Sequence, residues 1–252
     1  MFYLANRLYG VTFRPIAAPR YHKECSVYQV LDHDQSHVGV LYIDPYPRKS
    51  KSGGAWCGNF TEQRYVDGQR KAPVLGIVCN FTPPVGDTPS LLSFDEAETM
   101  FHEFGHALHF LFADVRYRGL AEVEGDFVEL PSQIMENWAF SKEMLQQYAI
   151  HYQSGEVMPE EMIEKIHKCS TFNEGFNTTE LVAAALSDMD IHSLQSDELI
   201  SPSQFERDAL TTRRGLIPQI ERFATKFVFN RFSETKLSYD KDLFGDFEHR
   251  IE

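Results

Sequence analysis

The sequence contains no apolar run approaching the ~20 residues that a membrane-spanning helix requires. Its opening, MFYLANRLYG, lacks the basic stretch, apolar core and small-residue cleavage site of a secretory signal. It reads instead as a helix entered partway through, as expected of a piece of a longer protein. Basic charge is also scarce: 24 Lys and Arg face 37 Asp and Glu, a net charge of −13 spread along the chain. Nucleic-acid binding needs a basic footprint, so neither nucleic acid nor membrane is expected as a partner. The acidic excess reads as solvated surface. Cysteine is sparse. The four present, Cys25, Cys57, Cys79 and Cys169, are far apart and form no C-x-x-C pair. That argues against a thiolate zinc site and for reduced thiols in a cytoplasmic protein. Internal repeats and low-complexity tracts are missing as well.

What is present is ordinary soluble-protein material: 252 residues, 42% apolar and 24% charged, enough for one large core or two modest lobes. In the first third, SVYQVL (26–31), HVGVLYID (37–44) and PVLGIVCNF (73–81) read as strands separated by the turn-rich DHDQSH and KSKSGG. From Ser93 the period changes. FDEAETMFHEFGHALHFLF has helical apolar spacing and no proline. Ser93 is placed to cap it, Glu96 to complete a capping box, and Asp95 and Glu96 suit the positive end of the helix dipole. A second helix is expected from about Val128 to Tyr148, with Pro131 in its first turn. PEEMIEKIHKCS, TTELVAAALSDMDIH and SPSQFERDAL supply further helices. The expected fold is mainly α with a small β-sheet: one region over 1–252, with the sheet over about 20–90 and a helical lobe over about 93–252.

The chemistry lies in His102-Glu103-Phe104-Gly105-His106, an H-E-x-x-H pentapeptide. Residues four apart on a helix differ by about 40° in azimuth and about 6 Å along the axis, so two imidazoles there can share one tetrahedral zinc ion. Glu103, rotated about 100° from His102, is turned away from that ligand pair but can reach a water beside the metal. Zinc lowers the pKa of such a water towards ~7, and a carboxylate can then take its proton.

Catalytic zinc usually takes three protein ligands. Glu122, Glu124, Asp126, Glu129 and Glu136 are all downstream carboxylates, and spacing alone does not choose among them. Glu129 is favoured because it opens the next helix, where a hairpin return brings it towards the histidines. His109 shares their face but lies about 10.5 Å along the axis from His102, too far to share the ion. Ligand histidines normally donate their other ring nitrogen to an acceptor, and Glu98, one turn before His102, is the expected one.

FDEAETMFHEFGHALHFLF followed by DFVELPSQIMENWAF closely resembles the thimet oligopeptidase family of zinc metallopeptidases, its bacterial peptidyl-dipeptidases most of all. KSGGAW, VCNFTPP, GDTPSLLSFDE and FNEGFNTTE resemble family segments too, so the likeness runs from about residue 1 to 220. The resemblance implies one zinc held by His102, His106 and Glu129, with Glu103 as general base. It implies that Gly53, Gly54, Ala55 and Trp56 lie near the substrate strand. It also implies a zincin-type core within a larger helical ellipsoid cut by a deep channel, which admits short peptides. Two departures stand out. Family members are far longer, with a helical region before this start. Beyond the segment resembling GLIPQIERF the family has a histidine and a Gly- and Tyr-rich loop for substrate and oxyanion. Here Asn230 stands near the expected histidine, no such loop follows, and Tyr239 is the only tyrosine after Tyr152. The alternative expectation is therefore a metal-binding, catalytically impaired, peptide-binding remnant.

Overall fold

Runs rich in Val, Ile, Leu and aromatics become the strands. These are Thr12–Pro15 (β1), Ser26–Leu31 (β2), His37–Asp44 (β3), Trp56–Thr61 (β4), Arg64–Val66 (β5), Gln69–Lys71 (β6) and Val74–Val78 (β7). The computed structural model describes residues 1–195 and 201–220. In it, five strands form one sheet ordered β1-β2-β3-β7-β4, while β5 and β6 pair separately. Neighbours are antiparallel except β3 and β7, which run parallel. Strand β4 ends the sheet, hydrogen-bonded within it only to β7. The sequence patterns place β2 and β3 at these bounds and anticipate β7, whereas β4 and the β5–β6 hairpin are additional to the strands expected. In WCGNFT a glycine interrupts the alternation, and each hairpin strand is only three residues long.

One sheet face carries Leu41, Ile43, Leu75 and Ile77, all buried against Phe104, Ala107, Leu108 and Leu111 of the helix Phe94–Leu111. Each such side chain contributes about 1.5–3 kcal/mol on burial, so this face anchors the helix. Numbering follows the chain, with Phe2–Tyr9 as α1 and Phe94–Leu111 as α2. The capping box forms as expected: the Ser93 hydroxyl accepts the Glu96 N–H at 3.1 Å, and the Glu96 carboxylate accepts the Ser93 N–H at 2.8 Å. At the far end the Arg70 guanidinium donates to the carbonyls of Leu111 and Ala113, which the helix itself leaves unpaired. The chain leaving α2 is tied down again where Gln63 accepts the Val115 N–H and Glu62 the Gly119 N–H. The hairpin region thus holds the loop that delivers Glu129.

The single helix expected over about 128–148 is two: Leu130–Ala139 (α3) and Lys142–Tyr148 (α4). Ser141 adopts an extended conformation and its hydroxyl accepts the Met144 N–H, so it starts a new helix rather than continuing the old one. Then come Glu160–Cys169 (α5), Glu174–His192 (α6), Pro202–Arg207 (α7) and a π-helical turn over Asp208–Thr212. The described residues therefore hold seven α-helices and a small sheet.

By its internal contacts the chain divides into two compact units, residues 1–165 and the part from Ile166 onward, with the boundary inside α5. The sheet, α2 and α3 all belong to the first. In the second, Ala183, Ala209, Leu210 and Ile220 form a small core, and Arg214 pairs with Asp190 at 2.6 Å. No helix among the described residues is long and apolar enough to cross a membrane. Asn230, Tyr239 and the tail that departs from the family pattern lie outside the described residues.

Candidate metal centre

Helix α2 carries His102 and His106 on one face, with ring centroids 5.0 Å apart. The third group comes from α3, which lies unusually close. A Cβ built on Gly105 would stand 2.5 Å from the Pro131 carbonyl oxygen and 2.6 Å from the Ser132 Cα, so only glycine fits there. This approach brings in Glu129, the residue preceding α3. Its Oε2 lies 3.2 Å from His102 Nε2 and 3.2 Å from His106 Nε2. The Ser132 hydroxyl donates to the same oxygen at 2.8 Å and sets the carboxylate's orientation.

These three groups each offer a ligand atom, all within 4.8 Å of one another. Zinc bonds of about 2.0–2.2 Å in a tetrahedron put neighbouring ligand atoms about 3.4 Å apart, which the two 3.2 Å separations approach. Both exceed the ~2.7–2.9 Å of a charge-assisted hydrogen bond, so the donor set suits a shared cation better than direct pairing.

The acceptor on His102 Nδ1 is Glu136, at 2.6 Å. Glu98, the acceptor expected from the sequence, is close enough to feel Glu136 and His102 electrostatically but does not make this bond. Glu98 lies on the helix of His102 itself. Glu136 reaches across from α3, where it follows Glu129 by seven residues and Ser132 by four. The spacing i, i+3, i+7 puts all three on one face of α3, a pattern visible in the sequence that shows a shared face but not the partner of His102. His109 stands apart from the cluster, its ring stacked beside Phe110.

Glu103 is only 6% exposed, and no group among the described residues hydrogen-bonds its Oε2. Burial chiefly pushes its pKa up; the Glu129 charge adds to this and His102 opposes it. Burial also lowers the pKa of His106, against the pull of Glu129, and so favours the neutral, metal-binding imidazole. The Ser132 hydroxyl, followed by the two histidines, holds Glu129 below the usual carboxylate range in spite of its partial burial. A buried carboxyl with an unused oxygen thus sits beside two imidazoles and an ionised carboxylate.

Gly53, Gly54 and Ala55 lead into edge strand β4, which Trp56 opens. Asn80 clamps the segment, its Nδ2 donating to Ser52 O at 2.8 Å and Gly54 O at 2.7 Å. Cys57, one residue on, packs against the α2 core, and burial followed by the nearby Glu103 charge raises its thiol pKa. The edge strand therefore passes beside Glu103.

The profile of Peptidase family M3 matches residues 1–224. The chain belongs to peptidase family M3. Within M3 it is 42% identical over 224 residues to the dipeptidyl carboxypeptidase of Escherichia coli K12, covering 87% of this chain and 33% of that protein. It is 39% identical to the organellar oligopeptidase A of Arabidopsis thaliana, over 77% of this chain and 26% of the relative. With the oligopeptidase A of Salmonella typhimurium it shares 34% identity, over 77% of this chain and 29% of the relative. The chain thus spans about a third of the length of the curated M3 relatives it matches.

Proposed function

We propose that this chain is the zinc-bearing catalytic core of a peptidase that hydrolyses short peptides. The observation that carries the reading is the convergence of His102 Nε2, His106 Nε2 and Glu129 Oε2 beside a buried carboxyl with a free oxygen. His102, His106 and Glu129 would hold the ion, one per chain. When bound, zinc supplies Lewis acidity, polarising a carbonyl and acidifying water.

The remaining work falls to the protein's own side chains. Glu136 accepts the Nδ1 proton of His102, which leaves the Nε2 lone pair facing Glu129. Ser132 holds the Glu129 carboxylate in place. Glu103 takes a proton on Oε2 from the attacking water and passes it to the departing amine; its raised pKa brings it nearer the working pH for both transfers. Gly53 and Gly54 lack side chains that would keep a peptide backbone from the β4 edge, where an added strand finds unpaired amide groups.

Peptides are the substrates that the relatives' names suggest: one is called a dipeptidyl carboxypeptidase, the others oligopeptidases. In a full-length protein of this family, the zincin-type core would form part of a helical ellipsoid with a deep channel that admits only short chains. Four free cysteines suit a reducing cytoplasm. The test is cleavage of a short-peptide panel with and without a chelator, alongside Glu103→Gln. Cleavage that stops on chelation and falls by ~10²–10⁴ in the variant supports the reading; full activity in either case overturns it. A second reading, a metal-binding but catalytically impaired protein, draws on Asn230 standing near the position of the family's substrate histidine. It predicts near-stoichiometric zinc with no cleavage of any peptide.

A further inference from the structure

The two faces of edge strand β4 have different surroundings. Cys57 looks inward to the core of α2. Trp56 and Gly58, alternating with it, lie on the other face, because successive strand residues point opposite ways. Phe60, past a register shift, joins them there: its ring lies 5.5 Å from Tyr42 and 6.0 Å from Tyr21. Between Trp56, Phe60 and Tyr21 opens a cavity of about 490 Å³, within the ~300–1,000 Å³ of small-ligand sites. Gly58 and Gly76 also line it, and a Cβ added to Gly58 would meet nothing within 4 Å. The slot on the edge strand is thus open for want of one side chain. Its aromatic walls are 40% (Trp56), 58% (Phe60) and 51% (Tyr21) exposed, a contiguous apolar surface of the kind that marks a binding site.

The charges at the cavity's end are already satisfied. Both Arg48 terminal nitrogens grip the Asp44 carboxylate, at 2.8 and 2.7 Å. Lys51 Nζ is taken up by Asp44 and by the carbonyls of Tyr46 and Cys79. An ion would find no free counter-charge here, whereas an apolar group would find aromatic walls.

A peptide paired along the β4 edge alternates its side chains between the face of Glu103 and the face of this cavity. We propose that the Trp56–Gly58–Phe60 slot is a specificity subsite for a large apolar, preferably aromatic, side chain of the bound peptide. This rests on the peptidase reading above and adds the substrate preference.

The test compares the full chain, zinc-loaded, on matched peptides that carry Phe or Ala at each successive position. Wild type is expected to favour Phe at a position on the outer-face register. Gly58→Leu fills the slot and should lower the Phe-to-Ala ratio of kcat/KM there by about ten- to a hundredfold. Trp56→Ala removes a wall instead of filling the slot and should lower the same ratio, so it decides the matter if Gly58→Leu fails to fold. Zinc content and circular dichroism of each variant check that the metal centre stands. Ratios unchanged in a folded variant overturn the subsite and leave the peptidase reading intact. No cleavage of any peptide by wild type removes both.

Discussion

Gly105 and Pro131 touch where α2 and α3 meet: a Cβ at position 105 would stand 2.5 Å from the Pro131 carbonyl oxygen. This contact sets how near α3, and with it Glu129, can come to the two imidazoles. Gly105→Ala must push α3 away or distort it. Overpacking of this kind costs about 1–3 kcal/mol, seen as a lowered urea midpoint. Zinc affinity is expected to fall at least as much as stability, since a shift of a few tenths of an ångström separates Glu129 from Nε2. A competition assay with a chromophoric chelator measures it. Wild-type affinity in the folded variant would show that the close approach does not govern the site.

Glu136 holds His102 Nδ1 at 2.6 Å. Glu136→Ala is expected to weaken zinc binding about 10–100-fold, the usual effect of removing a histidine ligand's acceptor. Glu98→Ala should change it far less, because Glu98 acts on His102 only through its charge. Isothermal titration of the two variants side by side separates the roles. Equal losses would contradict the assignment of Glu136.

Chelation should lower the melting temperature. A ligand at a hundredfold excess over its Kd stabilises by about 2.7 kcal/mol, which for a chain of this size is a shift of roughly 5–10 °C. Glu129→Gln, with a poorer donor, should show a smaller difference between zinc-loaded and chelated samples. Scanning calorimetry gives both values. A melting temperature indifferent to chelator would mean that the cluster does not hold metal.

Asp44 makes a different prediction. Its side chain is 1% exposed, against 23% for Arg48 and 3% for Lys51. Burial alone would push its pKa up, but the Arg48 hydrogen bond, the Lys51 charge and the Tyr21 hydroxyl outweigh it and hold the carboxyl below the ordinary range. A depressed folded value means that this contribution is complete above the unfolded pKa of about 3.9 and is lost as pH falls through the folded value. Denaturation curves from pH 7 to 2 should therefore show stability falling below about pH 4, with a flatter profile in Asp44→Asn. Asp44→Ala leaves Lys51 and Arg48 without their partner and should cost about 3–5 kcal/mol at neutral pH.

Local rules make much of the fold legible in the sequence. Ser93 and Glu96 mark the start of α2 from side chains three residues apart, and the periods of 26–31 and 37–44 mark two strands, because capping and alternation need only near neighbours. The hairpin has a local sign as well: Asp67-Gly68, both at positive φ, form the Asp-Gly turn that joins β5 to β6. The split between α3 and α4 also had a sign in Ser141, a capping residue within an otherwise helical run.

By itself the sequence determined which residues could serve chemistry: His102 and His106 share a helix face whatever α2 packs against, since helical geometry is local. It could not determine that Glu136 rather than Glu98 meets His102, nor that Gly58 and Gly76 floor one cavity. Those pairings join segments far apart in the chain. They depend on how closely two helices and two strands approach, and packing across the whole core decides that distance.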